Sequence, residues 1–204
     1  MNNTAGYTEE QNDALKELLN IAMGQAADSL ARALGAYVQI SVPRIDVIEA
    51  QQLSETLKGI NLYDDKVIGI RQAFFSDLNG EAIAIFGSHD CDQVADLMGY
   101  DELDDIEGQE LLLDIANVLI GACMTGFGRQ IDANIGFSPP KIMAENVVLD
   151  KLFADENPLW DNSLMMEIHF GLADRSFMCE LVFFMSGDSI EKVRNTIDQF
   201  LDSL

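Results

Sequence analysis

The sequence predicts an α+β fold made by internal duplication: two α-β-β-β-α halves, about residues 1–100 and 101–204, related by a pseudo-two-fold axis, with six strands and two long helices. Three observations predict it. The segment DALKELLNIAMG, residues 13–24, has a counterpart in ELLLDIANVLIG, residues 110–121. A shift of 97 positions without a gap aligns Leu15/Leu112, Asn20/Asn117, Gly24/Gly121, Arg32/Arg129, Ala36/Ala133, Ser41/Ser138, Pro43/Pro140 and Ile45/Ile142. Hydrophobic periodicity then runs through the same order of helix, three strands and helix in each half. A half alone could hardly bury its sheet, so the two are expected to fold as one unit.

Thr8 is a candidate N-cap with Glu9 and Glu10 in the favourable first turn, and Gly35 a left-handed terminator, giving a first helix over about 8–34. Its buried stripe is Leu15, Leu19, Ala22, Ala26 and Leu30. Tyr37–Ile48 is rich in β-branched residues and reads as a strand, with Pro43 at an edge, a bulge or its end. Residues 49–65 read as a polar loop. Lys66–Phe75 and Glu81–Phe86 form a hairpin joined around Asn79-Gly80, a strong turn signal. His89–Met98 is a short helix. The second half gives a helix over about 107–131, a strand over about 133–148, a polar loop with the single tryptophan Trp160, a hairpin of Ser163–Leu172 and Ser176–Met185, and a closing helix Asp188–Leu204.

Against 12 basic residues stand 35 acidic ones, a formal charge of −23. Such a surface repels nucleic acid and anionic membranes, whose binding needs clustered Lys and Arg. No run of about 18 apolar residues and no signal peptide is apparent, so the chain reads as cytoplasmic with no membrane partner. Cys91, Cys123 and Cys179 make no metal-ligand spacing, and read as reduced core cysteines. His89 and His169 stand apart from any Cys or Ser, and read as surface or core histidines.

On a 3.6-residue repeat, Asp13, Glu17, Asn20 and Gly24 share one stripe, and Glu110, Asp114, Asn117 and Gly121 share another. A polar stripe on an amphipathic helix is ordinarily no more than its solvated face. Here it is narrow and flanked by apolar residues, and it contains two poor helix formers. Asn competes for the backbone and Gly costs roughly 1 kcal/mol relative to Ala, and both occur twice at equal spacing. A carboxylate and a carboxamide one turn apart can accept a cation and orient a water, while the glycine leaves room for another backbone. With no nucleophile, imidazole or phosphate cradle in the stripe, covalent catalysis is disfavoured. Such a face could instead complete a partner's phosphoryl site, where water positioning by a carboxamide is a known device.

The spacing Asp13-x3-Glu17-x2-Asn20-x22-Pro43, repeated as Glu110-x3-Asp114-x2-Asn117-x22-Pro140, resembles the signature of the CheC/CheX/FliY family of CheY-P phosphatases. Two copies without an added domain are most like its CheC branch, and the resemblance implies a CheC-like fold. It also implies dephosphorylation of a CheY-like response regulator in chemotaxis, with Asn20 and Asn117 orienting water and Glu17 pairing with a lysine of the partner. Asp13, Gly24, Pro43, Glu110, Gly121 and Pro140 are supporting motif positions. No cofactor or metal of the chain's own is implied; Mg2+ would be carried by the regulator. CheD is a further implied partner, though no residue assigns its surface, and two sites in one chain remove the need to dimerise. The second copy departs from the pattern, since Asp114 is one methylene shorter than Glu and Glu110 replaces a shorter residue. A non-catalytic adaptor for a response regulator or CheD is the competing reading.

Overall fold

The computed structural model describes residues 7–40, 44–49, 66–97, 99–100, 103–153, 162–172 and 177–202. Pro43, Ser41, the loop over 50–65, Trp160 and the turn over 173–175 lie outside the described residues.

Helix α1, Glu9–Leu34, starts at a capping box in which the Thr8 hydroxyl accepts from the Gln11 amide and the Gln11 side chain accepts from the Thr8 amide. Gly35, at φ 62°, ends it in the left-handed conformation. Strands β1 (Val38–Ile40), β2 (Arg44–Glu49), β3 (Val67–Ser76) and β4 (Gly80–Gly87) follow, then helix α2 (Asp90–Leu97). The second half begins with helix α3, Asp105–Gln130, whose Asp104–Glu107 capping box starts it two residues before the expected position. Strands β5 (Ile135–Phe137) and β6 (Lys141–Val147), a one-turn helix α4 (Leu149–Leu152), strands β7 (Asn162–Leu172) and β8 (Met178–Met185), and helix α5 (Gly187–Asp202) complete it.

All eight strands belong to one antiparallel sheet, in the order β1-β7-β8-β4-β3-β5, with β2 also on β7 and β6 also on β3. The expected six strands are corrected to eight among the described residues. The segment over 133–148 is broken at Pro139-Pro140, because two residues without an N–H cannot continue the ladder. The segment over 37–48 is likewise two strands. Helix α4 falls where a loop was expected.

The pairing crosses between halves. β1 and β2 border β7, while β5 and β6 border β3. Exchanging each first-half strand with its second-half counterpart reverses the order and leaves it otherwise the same, about the central β4–β8 pair.

One sheet face carries the main core. Ile70, Phe74, Ala84, Phe86, Met166, Phe170, Leu181 and Phe183 pack there against Leu15, Leu19, Ala22 and Leu30 of α1, Leu112, Ala116, Leu119 and Phe127 of α3, and Val193 and Ile197 of α5. A smaller cluster on the opposite face joins Ile83, Ile85, Met165, Val182 and Phe184 to Leu152 and Phe153. Helix α3 is apolar and long enough to cross a membrane by composition alone, contrary to the expectation of no such stretch. Most of its apolar side is spent on the core, while its polar stripe, with Ile106 and Val118, is exposed.

Gly80 and Gly126 are among the glycines set by close packing. At Gly80 a Cβ would lie 2.1 Å from the Phe184 carbonyl oxygen and 2.3 Å from the Phe74 ring. Gly80 stands opposite Phe74 in the ladder, so it closes the hairpin as a strand residue. Its role is close approach, not the two-residue turn that Asn-Gly suggests. At Gly126 a Cβ would lie 3.1 Å from the Ala22 carbonyl oxygen, which marks the contact of α1 with α3.

Candidate functional site

Packing decides which side of each long helix faces out. In α1, burial of Leu15, Leu18, Leu19, Ala22, Met23 and Ala26 leaves Asp13, Glu17, Asn20 and Gly24 exposed. In α3, burial of Leu112, Ile115, Ala116, Leu119 and Ile120 leaves Glu110, Asp114 and Asn117 exposed and Gly121 half-buried. A Cβ at Gly24 or Gly121 would meet nothing within 4 Å, so the space beyond both is open. The glycine of α3 packed against α1 is Gly126. Asp13 makes an exposed ion pair with Lys16 at 3.7 Å, of a kind worth little.

Each asparagine is followed by an exposed branched apolar residue, Ile21 at 42% and Val118 at 38% exposure. The repeat carries these two apolar positions along with the polar ones. They were legible only as part of the apolar flank, because side-chain periodicity does not say where a buried face ends.

The second copy shows how its distant proline is joined to its asparagine. At the Pro139-Pro140 break, Ser138 closes the ladder with its own atoms. Its amide donates to the Ala73 carbonyl at 3.0 Å and its hydroxyl accepts from the Ala73 amide at 3.1 Å. Its carbonyl is thereby free to accept from Gln72 Nε2 at 2.8 Å, and the same Nε2 donates to Asn117 Oδ1 at 2.7 Å. Asn117 and the segment of half-buried Pro140 are thus brought together through Gln72, which is 1% exposed. Ser138 could have been found from its repeated identity with Ser41. The signal for Gln72 is weaker: a polar residue in the buried phase of Ile68, Ile70 and Phe74. In the first copy, Asn20 and Glu17 are placed and exposed, whereas Pro43 lies outside the described residues.

No other chemistry competes for this surface among the described residues. Burial pushes the thiols of Cys123 and Cys179 far up and that of Cys91 up, the reverse of an activated nucleophile. His89 is exposed. His169 is not isolated: its Nδ1 bonds the Glu180 carboxylate across β7–β8, and its Nε2 lies 3.1 Å from the Met178 sulfur. No group of three His, Cys, Asp or Glu that could hold a metal ion occurs among the described residues. The two stripes offer carboxylates and amides to a visitor and nothing that reacts by itself.

Comparison with known proteins gives the same neighbourhood from several directions. The family model for the CheC-like family matches residues 10–46, which contain the first stripe. The flagellar motor switch phosphatase FliY of Bacillus subtilis is 24% identical over 171 residues, 81% of this chain and 43% of FliY, so the chain spans less than half of that relative. The CheY-P phosphatase CheC of B. subtilis is 23% identical over 201 residues, 92% of this chain and 94% of CheC. Among solved structures, Thermotoga maritima FliY superposes with a TM-score of 0.71 at 21% identity, over 95% of this chain and 98% of that one. A chain of the CheX–CheY–BeF3–Mg2+ complex of Borrelia burgdorferi gives 0.53 at 15%, over 83% and 97%. The FliM middle domain of H. pylori gives 0.59 at 12%, over 93% and 99%. The match to the CheC-like family over residues 10–46 and the likeness to CheC and FliY over most of this chain make it similar to members of the CheC/CheX/FliY family.

Proposed function

We propose that the chain is a phosphatase acting on the aspartyl phosphate of a CheY-like response regulator in chemotaxis, working from two outward helix faces. The observation that carries this reading is the exposure of Asn20 and Asn117, each one turn beyond an exposed carboxylate, on helices whose other sides are in the core. An exposed asparagine is a poor helix former, and although Asn117 accepts a hydrogen bond from Gln72, both asparagines stay open to a visitor. The names of the relatives CheC and FliY, and the solved CheX–CheY complex, supply the partner class.

In the reaction proposed, the asparagine amide fixes a water in line with the phosphorus. The water oxygen bonds to phosphorus as the bond to the aspartate oxygen breaks; the aspartate leaves as carboxylate, and the water proton passes to a phosphate oxygen. Glu17, and with shorter reach Asp114, would meet a lysine of the regulator, and Mg2+ belongs to the regulator. Fixing the water in place can lower the barrier by several kcal/mol. Within the same reading the two stripes descend from one duplicated half, the chain is one domain acting as a cytoplasmic monomer, and CheD is a second partner.

The test is phosphate release from acetyl-phosphate-charged CheY with Mg2+. Wild type should accelerate it, and the Asn20→Ala/Asn117→Ala double variant should lose about a hundredfold or more of that acceleration. The altered second stripe, with Asp114 one methylene shorter than Glu17, favours a second reading, an adaptor that docks a regulator without hydrolysis. Binding of CheY with no acceleration by wild type would select it.

A further inference from the structure

We propose that Gln72 is the positioning residue of the second site, holding the Asn117 carboxamide with its NH2 group turned outward; this rests on the phosphatase reading above. The orientation follows from donors and acceptors alone. The Ser138 backbone carbonyl can only accept, so the Gln72 atom 2.8 Å from it is the nitrogen. That nitrogen has two hydrogens. The second is directed at an Asn117 atom 2.7 Å away, which must therefore be an acceptor, Oδ1. Asn117 is left to present Nδ2 to solvent. A donor there can bind the oxygen of the attacking water and leave another lone pair of that oxygen to meet phosphorus.

Stability alone does not account for an amide at this position. Gln72 is buried in the phase of Ile70 and Phe74, and its Oε1 is buried with no hydrogen-bond partner among the described residues. A buried acceptor without a partner is unfavourable, so the amide is retained at a cost.

Among the described residues, the position matching Gln72 in the first site cannot serve in this way. Arg71 stands opposite Lys141 and Glu167 opposite Arg44; Phe74 stands opposite Phe137 and Phe170 opposite Ile40. Lys141 matches Arg44, and Phe137 matches Ile40, at the 97-residue shift. Gln72 therefore corresponds to Ile168, whose side chain has no donor to offer Asn20. The two sites differ in how the amide is held as well as in the length of the carboxylate.

The experiment uses the full chain with Asn20→Ala, so that only the second site remains. In that background Gln72→Met, which keeps the side-chain length and removes the donor, is compared with Gln72 and with Asn117→Ala. Phosphate release is measured against the concentration of acetyl-phosphate-charged CheY. Expected is a kcat about tenfold lower with KM unchanged, since an oriented hydrogen bond is lost. In the chain without its partner, the Asn117 side-chain amide signals in nitrogen-15 NMR should lose their order. Gln72→Met with an unchanged kcat, or with an Asn117 amide as ordered as before, overturns the proposal. Should Asn20→Ala alone abolish release, the assignment of Gln72 falls while the phosphatase reading stands on the first site. Should wild type give no release at all, the phosphatase reading falls, and with it the role of Gln72 in positioning water. The NMR comparison then still decides whether Gln72 holds the amide.

Discussion

Removing the Asn20 amide and removing the Asn117 amide should not cost the same. Asp114 is one methylene shorter than Glu17 and has less reach to a partner lysine. Asn20→Ala is therefore expected to remove more phosphate-releasing activity than Asn117→Ala, and equal losses would reject the asymmetry. His169 gives a different prediction, on stability. Its hydrogen bond to Glu180 raises its pKa above the usual 6.5, against the opposing effect of burial. A raised folded value means that the stabilisation is complete below about pH 6.5 and is lost as pH rises through the folded pKa. Thermal unfolding followed from pH 6 to pH 9 should show the midpoint fall as the pH rises through the folded pKa of His169. His169→Gln should flatten that dependence. The stripes were legible because repetition singled out Asn20 and Asn117. Gln72 and Glu180 were not, since Gln72 has Ile168 as its counterpart and Glu180 meets His169 only across a strand pair.

Among the elements, the two long helices are the best legible, because capping residues and a 3.6-residue period are local signals. The strands are legible as hydrophobic runs, but the division at Pro139-Pro140 depends on Ser138 supplying the missing ladder atoms from its own side chain. Gly24 and Gly121 interrupt α1 and α3 with open space beyond them. Alanine at either position should stabilise the fold by about 0.5–1 kcal/mol, read as a shift of the denaturant midpoint, because glycine is the poorer helix former. If a regulator's backbone closes on these positions, the same substitutions raise KM for phosphorylated CheY. Stabilisation with an unchanged KM would show that the open space is not used.

For the whole molecule, the charge of −23 predicts that a regulator with a basic face is drawn in over a distance that salt shortens. The association rate, measured by stopped flow, should fall steeply between about 0.01 and 0.15 M salt, where the Debye length drops from about 30 to 8 Å. A flat rate would place recognition in the apolar contacts at Ile21 and Val118. The order of helix and strands in each half was legible from periodicity. The crossing of strands between halves was not, because a period of two says which face a residue occupies and not which strand lies beside it. That crossing governs how the chain can be made. While a ribosome is still adding the second half, β3 has no neighbour on its outer side until β5 at Ile135–Phe137 has emerged, and is not covered along its length until residue 147. β1 and β2 wait longer, until β7 is complete at Leu172. A nascent chain stalled after residue 100 should therefore be degraded by added protease at every length up to that point, and chaperones would meet bare strand edges for most of its synthesis.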